Sequence, residues 1–522
     1  MSALTFSPEL LRNGRIQLRR GRIVAVVVIC AALSLSAAAY YFHSATVVVP
    51  GGAVVSSPAL DLLRTMILFQ VAVLLIGGGI YCLQSVHREK ELNTFDYQRI
   101  TRLKPIELTL GKLLGAPALT YLIVLCLMPV TLVAAFVAQI SIWTLLQIYL
   151  ILLLGSITYH ALALLLSLFS PAGSFAGAIL FFLILVGMSS LDFATGFSVF
   201  AMRQLSPFFV SELFASRPTR NPFATLAPLQ DMFLGASVPH VLVLVVLYLT
   251  FSGFFLLALT RNIKRDPSVY EIYAPWQGLA FVLYLNALVL GFFRWTIPQF
   301  TTRPPGGVAG PSLPRLEFRP ISAGAAEVTF LGIGLWLFAI FGLALLRNRE
   351  RVRRRIRQHG AEASGWWAAI WPSPYLLAGA MVTGCAILGM IRSKVEEYGN
   401  WNFSVGVLQV AFFALWLARD FEYLQWMNLQ KGRRPLVSGV LYLIIFYVCV
   451  SAFMVAFNLY RPIAAPYRAI FVPSAAFGLD ATAWMSARGL WAGALLLLII
   501  ETLVFVWLQR RELQELANPL GN

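Results

Sequence analysis

Charged side chains are scarce in this sequence. Asp, Glu, Lys and Arg make up only 12% of its 522 residues, half of the ~25% typical of globular domains. So little charge cannot wet the surface of soluble domains, which excludes a standalone soluble enzyme. With 59% apolar residues, disorder is excluded as well. Cysteine is also rare: Cys30, Cys82, Cys126, Cys385 and Cys449 all fall within apolar stretches, without paired spacing. That excludes a secreted disulfide scaffold and reads as small apolar packing residues. The five histidines (His43, His87, His160, His240, His359) show no metal-ligand spacing, and no Asp/His/Ser set converges at one membrane level. No segment reads Gly-x-x-x-x-Gly-Lys-Ser/Thr. Gly111-Lys112 is followed by leucine and lacks the upstream glycine, so it cannot cradle a phosphate.

What the sequence does have is long apolar runs. Mean hydropathy is +0.76, with 38 Phe, 18 Tyr and 13 Trp. A bilayer core takes about 20 apolar residues as helix. Twelve stretches qualify: 23–42, 62–84, 116–138, 142–168, 173–191, 239–260, 277–297, 326–346, 374–391, 402–418, 437–458 and 488–508. The third carries Pro117 and Pro129, and the tenth is short. The fold class is therefore an all-α polytopic membrane protein of about 12 transmembrane helices. Two segments between spans are long: 192–238 holds apolar pieces too short to cross, and 298–325 is Pro/Gly-rich and reads as loop.

Basic residues set the expected orientation. Net charge is +17. Its carriers sit in short segments between apolar runs, where topology and anionic lipid explain them; no basic stripe on a polar domain suggests nucleic acid. With the N-terminus inside, inner segments hold 27 of the 40 Lys and Arg and the rest of the chain 13. This bias places both termini in the cytoplasm of a multi-pass protein of the cell (inner) membrane. Ser7-Pro8-Glu9 reads as a helix start rather than part of a cleavable signal. Arg12, Arg15 and Arg19 then repeat opposite Leu11 and Leu18, so residues 1–22 are expected to hold an amphipathic elbow helix on the inner membrane surface.

The segment from Arg88 to Lys112 carries the most information. Leu92, Phe95, Ile100 and Leu103 fall near one helical face, and Lys90, Asp96, Arg99 and Arg102 lie on the others, with Pro105 as the stop. Such a helix on the cytoplasmic side would offer a polar surface to a soluble partner. Arg88-Glu89-Lys90-Glu91, Asn93-Thr94-Phe95-Asp96, Thr101-Arg102-Leu103, Pro105 and Leu110-Gly111-Lys112-Leu113-Leu114 resemble the loop between the second and third spans of ABC-2-type ABC transporter permeases. That pattern is a charged run, Gly-Thr-Leu-Asp/Glu, Thr-Pro-Leu-Ser-Pro, then Leu-Gly-Lys. Thr94, Pro105 and Lys112 keep its spacing, while Asn93 replaces the glycine, Arg102 the first proline and Lys104 the serine. The elbow helix, six spans and long outer segment recur in order over residues 6–260, about half the chain.

The resemblance implies a permease subunit without an ATPase domain. Residues 23–260 would be a six-span unit with coupling loop 88–112 and outer segment 192–238. Glu91, Thr94, Asp96, Arg99, Arg102, Pro105 and Lys112 would then serve coupling to a separate nucleotide-binding subunit. ATP and Mg would be bound by that partner and no cofactor by this chain; a second permease copy would complete the transport unit. Residues 261–522 read as a second six-span unit, with 347–357 in the coupling position. Alternatively, Arg419–Gln425 and Pro435 echo Phe95–Gln98 and Pro105, making spans nine to twelve a partial copy.

Glu501 is the sharpest intramembrane charge. It would line a pathway, or pair with an arginine near a span end such as Arg64. Asn286, Gln409 and His160 read as interhelical hydrogen-bonding residues. The alternative function is an ion-coupled secondary transporter that relies on Glu501; an intramembrane enzyme is disfavoured because no nucleophile, metal or acid–base set converges.

Overall fold

The computed structural model describes residues 8–44, 58–169, 230–233, 236–265, 270–292, 296–301, 315–320, 333–334, 337–347, 349–359, 369–393, 403–431, 435–456 and 488–517. The chain is mostly helical and divides into two compact units, Met1–Ile272 and Tyr273–Asn522. Eight helices among the described residues are long and apolar enough to cross a membrane. They are joined by two shorter apolar helices, Pro275–Gly291 and Pro435–Val450. The expected span 173–191 lies outside the described residues, and 326–346 is described only in part.

In the first unit the helices are α1 (Pro8–Gln17), α2 (Arg20–Ser44), α3 (Pro58–Val71), α4 (Gly78–Glu91), α5 (Phe95–Ile100), α6 (Pro105–Gly115), α7 (Ala118–Val137), α8 (Ile142–Phe169) and α9 (His240–Asn262). A turn of π-helix, Ala72–Gly77, joins α3 to α4 and makes one continuous span of them. Strands β1 (Gln230–Phe233) and β2 (Ala236–Pro239) pair antiparallel just before α9. α8 packs against α4 and α9, α7 against α2 and α3, and α1 against α6.

Between apolar helices in lipid, packing and polar bonds do the work that the hydrophobic effect does in water. Gln70 Nε2 donates to Thr131 Oγ1 at 2.6 Å, linking α3 to α7. Thr158 and Ser252 hydroxyls meet at 2.7 Å between α8 and α9. His160 lies 2.9 Å from the Leu74 carbonyl in the π turn and 3.2 Å from the Tyr121 hydroxyl, so it bridges helices as expected. Its ring fits because Gly78 presents no side chain; a Cβ there would collide with the imidazole.

The second unit holds α10 (Pro275–Gly291), α11 (Arg349–His359), α12 (Ser373–Ser393), α13 (Phe403–Leu429), α14 (Pro435–Ala456) and α15 (Arg488–Ala517). Strands β3 (Thr296–Thr301) and β4 (Arg315–Pro320) pair from Thr296↔Pro320 to Thr301↔Arg315. Both strands fall largely inside the 298–325 stretch that reads as loop, so that reading is corrected there: residues 298–301 and 315–320 pair as a β-ribbon. α13 is the hub, packed against α12, α14 and α15. The basic helix α11 lays Val352 and Ile356 on Val506, Leu513 and Leu516 of α15 and turns Arg353, Arg354 and Arg355 outward.

Three sequence expectations shift. The tenth span, expected to end at 418, continues to Leu429, so Arg419 lies inside a helix rather than in an inner loop. The stretch 419–425, which echoes the Phe95 region, is the buried middle of that helix and not a surface helix. The first unit also extends beyond residue 260, because the chain after α9 folds back on it. Asn262 exchanges bonds with the Glu271 backbone at 2.7 and 2.9 Å, and Arg261 Nη2 meets Glu271 Oε2 at 2.8 Å.

Candidate functional site

The Arg88–Lys112 segment is three pieces rather than one helix. α4 runs to Glu91 and ends in a turn at Asn93, whose φ is 54°. Asparagine is among the few residues that tolerate this left-handed region, which glycine enters freely. α5 then covers only Phe95–Ile100. Pro105 opens α6 rather than stopping the preceding helix: it lacks an N–H, and the first helical turn needs none. Glu107 reaches back to accept the Lys104 N–H at 3.0 Å.

A six-residue helix has room to bury little. Of the expected apolar face, Phe95 goes inside, while Leu92 is 63% and Ile100 81% exposed. Beside them, Tyr97 is 71% exposed and the Asp96 carboxylate 75%. Arg99 ties this face down: Nη1 reaches Asp96 at 2.8 Å, Nη2 reaches the Tyr270 hydroxyl at 2.6 Å, and the guanidinium lies over the Phe95 ring. Lys264 Nζ donates to the Thr101 carbonyl at 2.7 Å. Glu91 is exposed beside His87, the Thr94 hydroxyl bonds the Glu89 carbonyl, and Arg102 and Pro105 face outward.

Lys112 lies elsewhere. Its ammonium is fully buried, 3.2 Å from Glu9 Oε1 and bonded to Glu89 Oε2. Arg12 joins both carboxylates, Asn13 donates to Glu9 at 3.0 Å, and Gln98 donates to Glu89 at 2.8 Å. Two cations thus meet two carboxylates, and the cluster ties α1, α4, α5 and α6 together. Gly115 lets α1 close on α6, since a Cβ there would lie 2.9 Å from Asn13 Cβ. Lys90 Nζ bonds the Ser167 and Leu168 carbonyls at 2.8 Å each, capping the C-terminal end of α8 where a cation is favoured. Among the sequence-selected residues, Asp96 and Arg99 are thus brought together on the surface, with Thr94 and Arg102 close in the chain, while Lys112 belongs to the interior. The sequence reading missed the pairing of Glu9, Arg12 and Glu89. Glu9 had a signal as an early acid in a helix, but nothing in the sequence pairs it with a residue 103 positions away.

The second unit holds another ion cluster, on α13. Arg419 Nε and Nη2 lie 3.0 and 2.9 Å from Asp420 Oδ1, and Nη2 donates to the Tyr447 hydroxyl at 2.6 Å. Tyr447 in turn donates to Asp420 Oδ2 at 2.7 Å. Arg419 Nη1 reaches Glu501 Oε2 on α15 at 3.1 Å. Glu501 is therefore ion-paired, with Arg419 rather than Arg64; the latter lies 3.6 Å from Asp61. One turn further on, buried Glu422 accepts from the Ser373 N–H at 3.1 Å, from the Ser373 hydroxyl and from Gln509 Nε2. It closes the first turn of α12, where backbone N–H groups otherwise lack partners.

All five cysteines are free thiols; Cys30 and Cys82 are buried, Cys385 and Cys449 exposed. Among the described residues no three or more His, Cys, Asp or Glu side chains gather where they could hold a metal. Chemically, the first cluster is a neutral brace with enclosed carboxylates behind an exposed surface helix, and the second is an ion cluster at the edge of a groove. Compared with known proteins, the chain matches no family model, no curated protein and no solved structure.

Proposed function

We propose that the chain is the membrane subunit of an ABC-2-type ABC transporter, an exporter that couples ATP hydrolysis by a separate nucleotide-binding subunit to movement of substrate through the membrane. In this reading it is a twelve-span protein of the cytoplasmic membrane with both termini inside. The observation that carries it is the small surface helix α5. Its Asp96, Tyr97 and Ile100 are exposed, while Phe95, Arg99 and the Lys112 cluster fasten it to α4, α6 and the elbow helix. A partner pressing on α5 would move two spans and the elbow as one body. ATP and Mg belong to the partner.

The test is Asp96→Arg, expressed with the ATPase subunit. It reverses the charge on the exposed face and leaves Arg99 its bonds to Tyr270 and Phe95, so folding survives while docking weakens. A rim pair would lose less than about 1 kcal/mol, a desolvated one several. Wild-type co-purification together with wild-type transport-stimulated ATP turnover would sink the reading. Orientation has its own check: a cysteine at Arg353 or Gln514 should resist impermeant labelling of intact cells, and one at Thr219 or Gly307 should react.

An ion-coupled secondary transporter is the second reading. It draws on Glu501, an ion-paired carboxylate in an apolar helix. If Glu501→Gln abolishes transport while Asp96→Arg leaves it intact, this reading replaces the first.

A further inference from the structure

Between α13, α14 and α15 lies a cavity of about 510 Å³, within the size range of sites for drug-sized ligands. Its floor is charged and its walls are apolar and aromatic: Tyr423, Tyr442, Phe446, Phe505, Ile500 and Val504. Tyr442, Ile500 and Val504 are exposed on apolar helices, so the cavity opens sideways, towards the side a bilayer would occupy.

The charge on the floor does not balance. Asp420 takes two nitrogens of Arg419 and the Tyr447 hydroxyl, and so matches the guanidinium. Glu501 holds Arg419 through one oxygen at 3.1 Å, and its side chain is 37% exposed. Among the described residues one cation faces two carboxylates, and of the two that line the cavity Glu501 is the more exposed, at 37% against 7% for Asp420. An inorganic cation needs a shell of oxygen ligands, which apolar walls do not supply. An organic cation brings its own apolar surface, and aromatic faces attract it.

We propose that this groove binds a lipophilic monovalent organic cation that enters from the bilayer, with its charge on Glu501 and its apolar groups on the aromatic wall. The site lies apart from α5 and needs no ATPase to fill, so its test stands or falls independently of the coupling reading.

The test uses the full-length chain in phosphatidylcholine nanodiscs and equilibrium binding of labelled tetraphenylphosphonium. Tetraphenylborate, of the same shape and opposite charge, is the control. Wild type should bind the cation saturably and ignore the anion. Glu501→Gln should weaken binding at least tenfold, and Glu501→Asp should retain most of it. Val504→Trp fills the groove without touching the ion cluster and should block binding; it decides the matter if Glu501→Gln does not fold. Absent saturable binding, equal binding of the anion, or undiminished binding by either Glu501→Gln or Val504→Trp would overturn the proposal. The first result would mean that Glu501 recruits no organic cation from the bilayer. The others would leave a groove for acyl chains or a second copy.

Discussion

Lys112 in the first unit and Arg419 in the second are both cations withdrawn from water, 0% and 5% exposed, and each meets two carboxylates. Their settings differ in what completes the charge balance. Around Lys112, Arg12 supplies a second cation, and both carboxylates are nearly enclosed, Glu9 at 5% and Glu89 at 12% exposed. The group is neutral, open only at Arg12, which is 43% exposed, and its bonds run between segments far apart in the chain. Among the described residues no second cation joins Asp420 and Glu501 around Arg419, and Glu501 stands at 37% exposure beside a cavity. A buried ion pair is weak evidence for net stability, yet removing one partner is costly because a buried charge is left alone. A neutral group with enclosed carboxylates therefore acts as a brace, whereas an unbalanced one with an exposed carboxylate can exchange what neutralises it.

That contrast is open to direct attack. The largest effect is expected from Lys112→Met, which leaves Glu9 and Glu89 facing each other with only the half-exposed Arg12 between them. The loss should be about 3–5 kcal/mol, the usual cost of breaking a buried pair. It should appear as a large fall in thermal stability of the purified chain, with partial recovery when Glu89→Gln is added. A wild-type melting profile would mean that the cluster is not a brace.

Arg419→Met is the matching experiment in the second unit. It should cost less, about 3 kcal/mol or below, because Glu501 can be neutralised from the cavity and only Asp420 is left enclosed. The same melting assay reads it, and a loss larger than that of Lys112→Met would invert the comparison.

Glu422→Gln should have the smallest effect, about 1–3 kcal/mol, since the amide keeps one acceptor and leaves one buried donor of Ser373 or Gln509 unmatched. Because Glu422 is fully enclosed, the variant should leave tetraphenylphosphonium binding unchanged. A parallel loss of binding would merge Glu422 with the open cluster and erase the distinction.

The clusters also differ in how far they could be read in advance. Apolar runs located the described spans, since a bilayer-spanning helix must be apolar along most of its length, although some ends, such as 418 against Leu429, lie up to eleven residues off. Pro8 and Glu9 marked the start of α1 and Asp96 was recognisable as a surface residue, whereas periodicity misplaced Arg99, only 13% exposed, and Leu92 and Ile100, which are exposed. Hydropathy failed at α13, where Arg419, Asp420 and Glu422 look like the end of a span. Those charges are buried because they bond to one another and to Tyr447, Ser373, Gln509 and Glu501, most of them on other helices.

By itself, then, the amino-acid order determined a helical membrane protein, the place of the loop between α4 and α6, and a carboxylate at Glu501 within an apolar run. Tertiary structure alone decided that Pro105 starts a helix, that Lys112 is an internal brace and that Glu501 answers to Arg419. The reason is physical. Helix formation in lipid depends on local apolarity, which a window of residues carries. Burial of a charge depends on a partner that packing brings within about 4 Å from 82 or 103 positions away.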